Sequence, residues 1–214
     1  MNRYQIARTV RFFFHWHYDI RLVNKEVLYA HQPILLMPNH TAFVDPLVLF
    51  AELHDLPICP MVDERFMRHR VFGRILQKVE AVEVPDLQQS VMSRQEGAAK
   101  AEQLSRIAIE ALAQGKSMVV YPSGHIKTSD QEIIGNRRLA YEVCRELPAN
   151  AAVILCRMRG LEQSRWSKLP TKRVWRRHIT LQFEDKTAEL REWAQQLSRR
   201  EFNLRLEDWY NSQD

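Results

Sequence analysis

His40 and Asp45 stand five positions apart in the stretch His40-Thr41-Ala42-Phe43-Val44-Asp45, a pairing that suits general-base chemistry. A neutral imidazole can take a proton from a hydroxyl, and a carboxylate beside it can fix the ring's tautomer and stabilise the imidazolium that forms. Such a pair turns an alcohol into a nucleophile. Taken as isolated residues, a loop histidine and an aspartate that caps its helix are the commoner explanation. The surrounding elements decide between the two.

Before the pair, Pro33-Ile34-Leu35-Leu36-Met37-Pro38 is a short apolar run bounded by prolines, the pattern of a buried strand in a parallel sheet. After it, Asp45-Pro46 and then Leu47, Val48, Leu49, Phe50 and Leu53 read as an N-cap, a proline at the first helical position and an apolar helix. His40 thereby falls at the carboxyl end of a strand, where open α/β sheets bind their ligands. A second run, Val119-Val120-Tyr121-Pro122-Ser123-Gly124-His125, ends in a glycine that permits positive φ and close approach of a ligand. Exposed amides around Gly124 are candidates for holding a head group or an oxyanion, and His125 and Lys127 can add charge there. A turn of solvated polar residues accounts for that stretch equally well.

Pro38-Asn39-His40, four residues and then Asp45-Pro46 resembles the first motif of the glycerolipid and lysophospholipid acyltransferase family. Val119 to His125 resembles its third motif, an aromatic residue, proline, glutamate and glycine at the end of another strand. Ala152-Val153-Ile154-Leu155-Cys156-Arg157-Met158-Arg159-Gly160-Leu161, followed by Ser164, Trp166, Ser167 and Lys168, resembles the fourth strand motif and its loop. The three come in the family's order, over about residues 30 to 185. Two positions depart from it. Ser123 stands where the third motif usually has glutamate, which removes an acidic contact to the acceptor's head group. Glu80-Ala81-Val82-Glu83-Val84-Pro85-Asp86, matching the second motif, lacks the arginine that binds the phosphate of a lysophosphatidate acceptor. In this it looks most like the branch that reacylates lysophosphatidylethanolamine.

The resemblance implies an O-acyltransferase that moves a fatty acyl group from acyl-CoA or acyl carrier protein to the hydroxyl of a lysophospholipid or related glycerolipid. His40 would deprotonate the acceptor, Asp45 would orient and charge-stabilise His40, and the oxygen would attack the thioester carbonyl, with no metal, cofactor or covalent enzyme intermediate. Asn39, Thr41, Ser123, Gly124, His125 and Lys127 are the candidate substrate-binding residues. Two other classes stay open. Ser123 could complete a serine, histidine and aspartate set in a lipid esterase or thioesterase, although Tyr121-Pro122-Ser123-Gly124 lacks the first glycine of a G-x-S-x-G nucleophile elbow. The altered motifs would also suit a non-catalytic lipid-binding relative, against which the intact His40 and Asp45 argue. Acceptor, acyl length, donor carrier and oligomeric state are left open by the sequence.

The 214 residues, 45% of them hydrophobic, suffice for one domain with a sizeable core. The balance of 31 basic over 26 acidic residues favours an anionic partner. Between nucleic acid and an anionic membrane, the absence of any helix-turn-helix, zinc-finger or RNA-binding pattern favours the membrane. Cys59, Cys144 and Cys156 have the spacing of neither a zinc site nor a disulfide framework, and are expected to be buried reduced thiols in a cytosolic protein.

Residues 1–24 are expected to form an N-terminal amphipathic membrane-association segment. No run approaches the roughly 18 apolar residues of a spanning helix, but Arg3, Arg8 and Arg11 alternate with Ile6, Val10, Phe12, Phe13, Phe14 and Trp16. That mixture suits a helix lying in the headgroup layer at the inner face of a membrane, or one packed on the domain. Residues 25–214 then make one α/β domain, a mixed sheet of about seven strands flanked by helices. Strands are expected near Glu26 to Ala30, Ile34 to Met37, Ile58 to Met61, Ala81 to Val84, Ser117 to Tyr121, Ala152 to Met158 and Ile179 to Phe183. Helices are expected at Glu64 to Lys78, Arg94 to Gln114, Arg138 to Arg145 and Ala188 to Tyr210. Two basic clusters, Arg65 to Lys78 and Arg165 to Arg177 with Trp166 and Trp175 interleaved, could attract anionic lipid or coenzyme A phosphates.

Overall fold

The run Ile34–Pro38 is buried at every position. Leu35 and Met37 enter one core and Ile34 and Leu36 another, the alternation that a pleated strand imposes when both of its faces are covered. The computed structural model describes residues 3–63, 68, 82–84, 94–170 and 177–212. Along them come α1 (Arg3–His17), β1 (Tyr18–Val23), β2 (Ile34–Pro38), α2 (Asp45–Glu52), β3 (Ile58–Asp63), β4 (Val82–Val84), α3 (Arg94–Ala113), β5 (Ser117–Val119), α4 (Leu139–Arg145), β6 (Ala152–Arg159), β7 (Arg177–Asp185), α5 (Thr187–Gln196) and α6 (Arg199–Asn211).

The strands form one mixed sheet in the order β1-β7-β6-β2-β5-β3-β4. β2 lies parallel to both β5 and β6, so three neighbouring strands deliver their carboxyl ends to one edge. The pairing of β6 with β7 is antiparallel. On one face α3 to α6 cover Leu35, Met37 and Met118 with Ala108, Leu112, Val143, Phe202 and Leu206. On the other, Val48 and Leu49 of α2 meet Leu36, Ile154, Met158 and Phe183. The expected single α/β domain with a sheet of about seven strands and flanking helices is the observed fold class.

Several elements differ from their sequence pattern. Glu26 to Ala30, expected as a strand, lies mostly in a 3-10 turn, Lys25–Tyr29. One helical turn brings Lys25 and Tyr29 side by side, and both side chains bond Asp55. The sheet instead starts earlier, at Tyr18, inside the stretch read as the amphipathic segment, where β1 pairs with β7. Ala188 to Tyr210 is two helices rather than one. Ser198 bonds the Glu201 amide while the Glu201 carboxylate takes the Ser198 amide, a capping box that restarts the helix. The helix expected at Glu64 to Lys78, and with it the first basic cluster apart from Arg68, lies outside the described residues, as do Lys172, Arg173, Trp175 and Arg176 of the second. Arg177 of that cluster is no surface charge, being only 5% exposed beside Tyr18.

All three cysteines are buried, and none forms a disulfide. Burial pushes the Cys144 thiol up to about 12 and the Cys156 thiol well above its usual range, which keeps both unreactive.

Candidate active site

Asp45 is fully buried, and its carboxylate is met from every side by donors. The Thr41 amide donates to Oδ2 at 2.5 Å, the Ala42 amide to both oxygens at 3.0 Å, and the Thr41 hydroxyl to Oδ1 at 3.0 Å. These bonds turn residues 41 and 42 around the carboxylate. Asp45 was expected as the N-cap of α2. It is instead the first helical residue, with Val44 at the cap and Pro46 following, and its side chain reaches back to the loop rather than forward along the helix.

The remaining partner of the carboxylate is His40, whose Nδ1 lies 3.0 Å from Oδ2. A buried carboxylate surrounded by donors is an acceptor, so Nδ1 carries the proton and Nε2 is left as the basic nitrogen. The Tyr121 ring stacks on the imidazole, centroids 4.2 Å apart and planes 29° from parallel. Stacking against a π face limits rotation of the ring. The Tyr121 hydroxyl is buried with no hydrogen-bond partner among the described residues, and burial first, then the nearby Asp45 charge, pushes it well above its usual range, so it stays neutral. Register explains the contact. Leu36 of β2 pairs with Val119 of β5, and each chain then runs on to its ring at the same edge.

Of the other residues singled out, Asn39 and Thr41 have their polar atoms engaged within the protein. Asn39 donates to the Met158 carbonyl at 3.0 Å and accepts from the Met158 amide at 2.6 Å, which ties the end of β2 to β6. The Ser123 hydroxyl, 1% exposed, donates to the His125 carbonyl at 3.0 Å rather than to His40. Gly124 has the positive φ its place suggested, 65°, but its amide closes a turn onto the Tyr121 carbonyl at 3.1 Å. His125 is exposed and bonds the Ser123 carbonyl at 2.7 Å, and Lys127 pairs with Glu162 at 3.2 Å. Among the described residues, no group of three or more His, Cys, Asp and Glu side chains is arranged to hold a metal ion.

Glu132, and the place of Phe43 and Leu47 beside Trp166, went unread in the sequence. Glu132 is 2% exposed and sits against the His40 loop. Phe43, Leu47 and Trp166 form an exposed apolar rim beside the dyad, with the Phe43 amide bonded to the Trp166 carbonyl at 3.1 Å and the Lys168 ammonium 5.7 Å from the Phe43 ring.

Asp45→Asn tests the carboxylate. The amide cannot accept from Thr41, Ala42 and His40 together, and it turns an N–H₂ toward at least one donor. Turnover should fall about 10³-fold, and thermal or denaturant unfolding should show a loss of about 3 kcal/mol.

Comparison with known proteins places this geometry in context. The profile of the family described as Acyltransferase matches residues 19–160, from β1 through β6 and including His40, Asp45 and Tyr121. The crystal structure of the 1-acyl-sn-glycerophosphate acyltransferase PlsC from Thermotoga maritima superposes with a TM-score of 0.61 over 95% of this chain and 79% of that one, at 14% identity, a likeness of fold. A comparison with curated proteins finds none that matches. With the family profile covering most of the sheet and the whole His40 loop, the chain belongs to the acyltransferase family.

Proposed function

We propose that the protein transfers a fatty acyl group from an acyl-CoA or acyl carrier protein thioester to the hydroxyl of a lysophospholipid or related glycerolipid, in phospholipid synthesis or remodelling. The observation that carries this reading is the His40–Asp45 pair at the shared edge of β2, β5 and β6. His40 Nε2 takes the proton of the acceptor hydroxyl, and the oxygen attacks the thioester carbonyl. When the tetrahedral adduct collapses, the carbon–sulfur bond breaks and the imidazolium returns the proton to the leaving thiolate. Asp45 keeps the ring in the right tautomer and opposes the transient positive charge. A base so placed contributes about 10²- to 10⁴-fold, and holding both substrates together adds to it.

The acceptor is assigned less closely. The missing arginine of the second motif argues against lysophosphatidate and for an acceptor such as lysophosphatidylethanolamine; of that motif, only residues 82–84 are among those described.

A membrane-facing surface goes with this substrate class. α1 packs on the body, burying Ile6 and Ala7 and pairing Arg11 and His15 with the buried Glu52. Arg3 bonds the Leu56 and Ile58 carbonyls. Its other side exposes Phe12 at 62%, Phe13 at 62% and Trp16 at 70%. One face of the helix is thus docked on the domain, and the opposite face carries outward aromatic rings. No helix among the described residues is long and apolar enough to cross a membrane. We assign the aromatic face of α1 and the Phe43, Leu47 and Trp166 rim to contact with a lipid surface, where aromatic rings beside basic groups are favoured.

Two experiments follow. Purified protein given labelled palmitoyl-CoA or palmitoyl carrier protein and a panel of lysophospholipids should form diacyl product, with turnover lost in His40→Ala and kept in Ser123→Ala. Free fatty acid that disappears with Ser123→Ala would make it a hydrolase, and lipid binding without turnover would make it a binder. Replacing Phe12, Phe13 and Trp16 together by alanine should weaken sedimentation with anionic vesicles by about tenfold or more. Unchanged binding would remove α1 from the lipid contact.

A further inference from the structure

Glu132 is a carboxyl group with almost no exposed surface, and acyl transfer by His40 and Asp45 does not use it. Its Oε1 accepts from the His40 amide at 3.4 Å, and its Oε2 is buried, with no well-placed donor among the described residues. Burial pushes the carboxyl above its usual range. The Ser123 hydroxyl, the His40 amide and the Lys127 charge pull it back down, as does His40 when its ring is protonated. Tyr210 also lies within the carboxyl's field: its hydroxyl bonds the Met37 carbonyl and is itself pushed up by burial and by the Glu132 charge.

A buried carboxyl is costly to keep unless its contacts serve something. Here they converge on one peptide unit. The His40 amide meets Glu132, and the His40 carbonyl accepts from the Lys127 amide at 2.8 Å. One loop therefore grips the base's backbone on both sides. The loop is itself pinned by α6. Asn211 accepts from the Glu132 amide at 2.8 Å and donates to its carbonyl at 3.0 Å. Glu207 takes the Ile134 and Gly135 amides at 2.6 Å each, and Asn203 donates to the Gly135 and Arg137 carbonyls at 2.9 Å each.

We infer that Glu132 is a positioning residue for acyl transfer, anchored by α6 through Asn211, which holds the backbone of His40 so that the imidazole stays on Asp45 and under Tyr121. Asp45 sets the ring from its Nδ1 side, and Glu132 sets the peptide from which the ring hangs. The effect belongs to the chemical step, because a 2% exposed side chain offers substrate almost no surface. This inference rests on the acyl-transfer reading.

The test compares wild type, Glu132→Ala, Glu132→Gln and Asn211→Ala, with two readouts. In steady-state acyl transfer, Glu132→Ala should lower kcat about tenfold or more with KM for donor and acceptor within about twofold, since lost positioning of a catalytic group acts on the transition state. Glu132→Gln, which keeps an acceptor for the His40 amide, should recover most of that loss, and Asn211→Ala should show a smaller loss of the same kind. Site-resolved amide hydrogen exchange should find the His40 amide exchanging faster in Glu132→Ala than in wild type or Glu132→Gln. Unchanged kcat and exchange would overturn the inference, and so would a rise in KM at constant kcat, which would make Glu132 a substrate contact. Should wild type transfer no acyl group, the acyl-transfer reading fails, and the exchange comparison still decides whether Glu132 holds His40.

Discussion

A carboxylate with no exposed surface is tolerated only where the chain supplies enough donors to replace water, and at Asp45 those donors are residues 41 and 42 of its own loop together with His40. The site depends on this single arrangement. Winding the loop around the carboxylate turns its side chain away from the axis of α2 and fixes where β2 must stop. It also leaves the imidazole as the one partner able to carry a proton away. In the proposed mechanism the same set of bonds serves stability and chemistry together.

Around that carboxylate the sheet acts as a template. β2 lies between β5 and β6 and runs parallel to each, so the chain leaves three adjacent strands at one edge. Each supplies one constraint: His40 from β2, the Tyr121 ring from β5, and the Met158 backbone that holds Asn39 from β6. The helical face behind adds a fourth through α6, whose Tyr210, Asn211 and Ser212 end meets the Met37 carbonyl, Glu132, Arg157 and Arg159. An exposed apolar rim of Phe43, Leu47 and Trp166 lies at the same edge, beside this otherwise polar site.

Much of this is legible in the sequence where the signal is local. The proline-bounded run of β2, the His40 to Asp45 spacing and the apolar start of α2 lie within twenty residues of one another, and each follows from period and residue type. β1 escapes that reading because, among the described strands, Tyr18–Val23 pairs with β7 alone, at the edge of the sheet, and so keeps polar residues that blur the pattern of a buried strand. The break between α5 and α6 was readable in the Ser198 and Glu201 capping box, but helical periodicity carries straight across it. Glu132 had no local signal at all. It sits in a polar loop, and the contacts that make it matter reach across 92 residues to His40 and 79 to Asn211. Where Asn39 and Thr41 stand was also legible, but their internal bonds were not, since those depend on the backbone of β6 and on the carboxylate of Asp45.

The central claim is that the buried Asp45 carboxylate holds the neutral His40 ring with its proton on Nδ1 and leaves Nε2 free to act as the base. Nitrogen-15 NMR of histidine-labelled protein, with the His40 signal assigned by its loss in His40→Ala, reads that tautomer directly. The account predicts a protonated Nδ1 and an unprotonated Nε2 in the neutral ring, and a shift away from that state in Asp45→Asn. A neutral ring protonated on Nε2 in the wild-type protein would contradict it, because the nitrogen assigned to take the acceptor's proton would already be occupied.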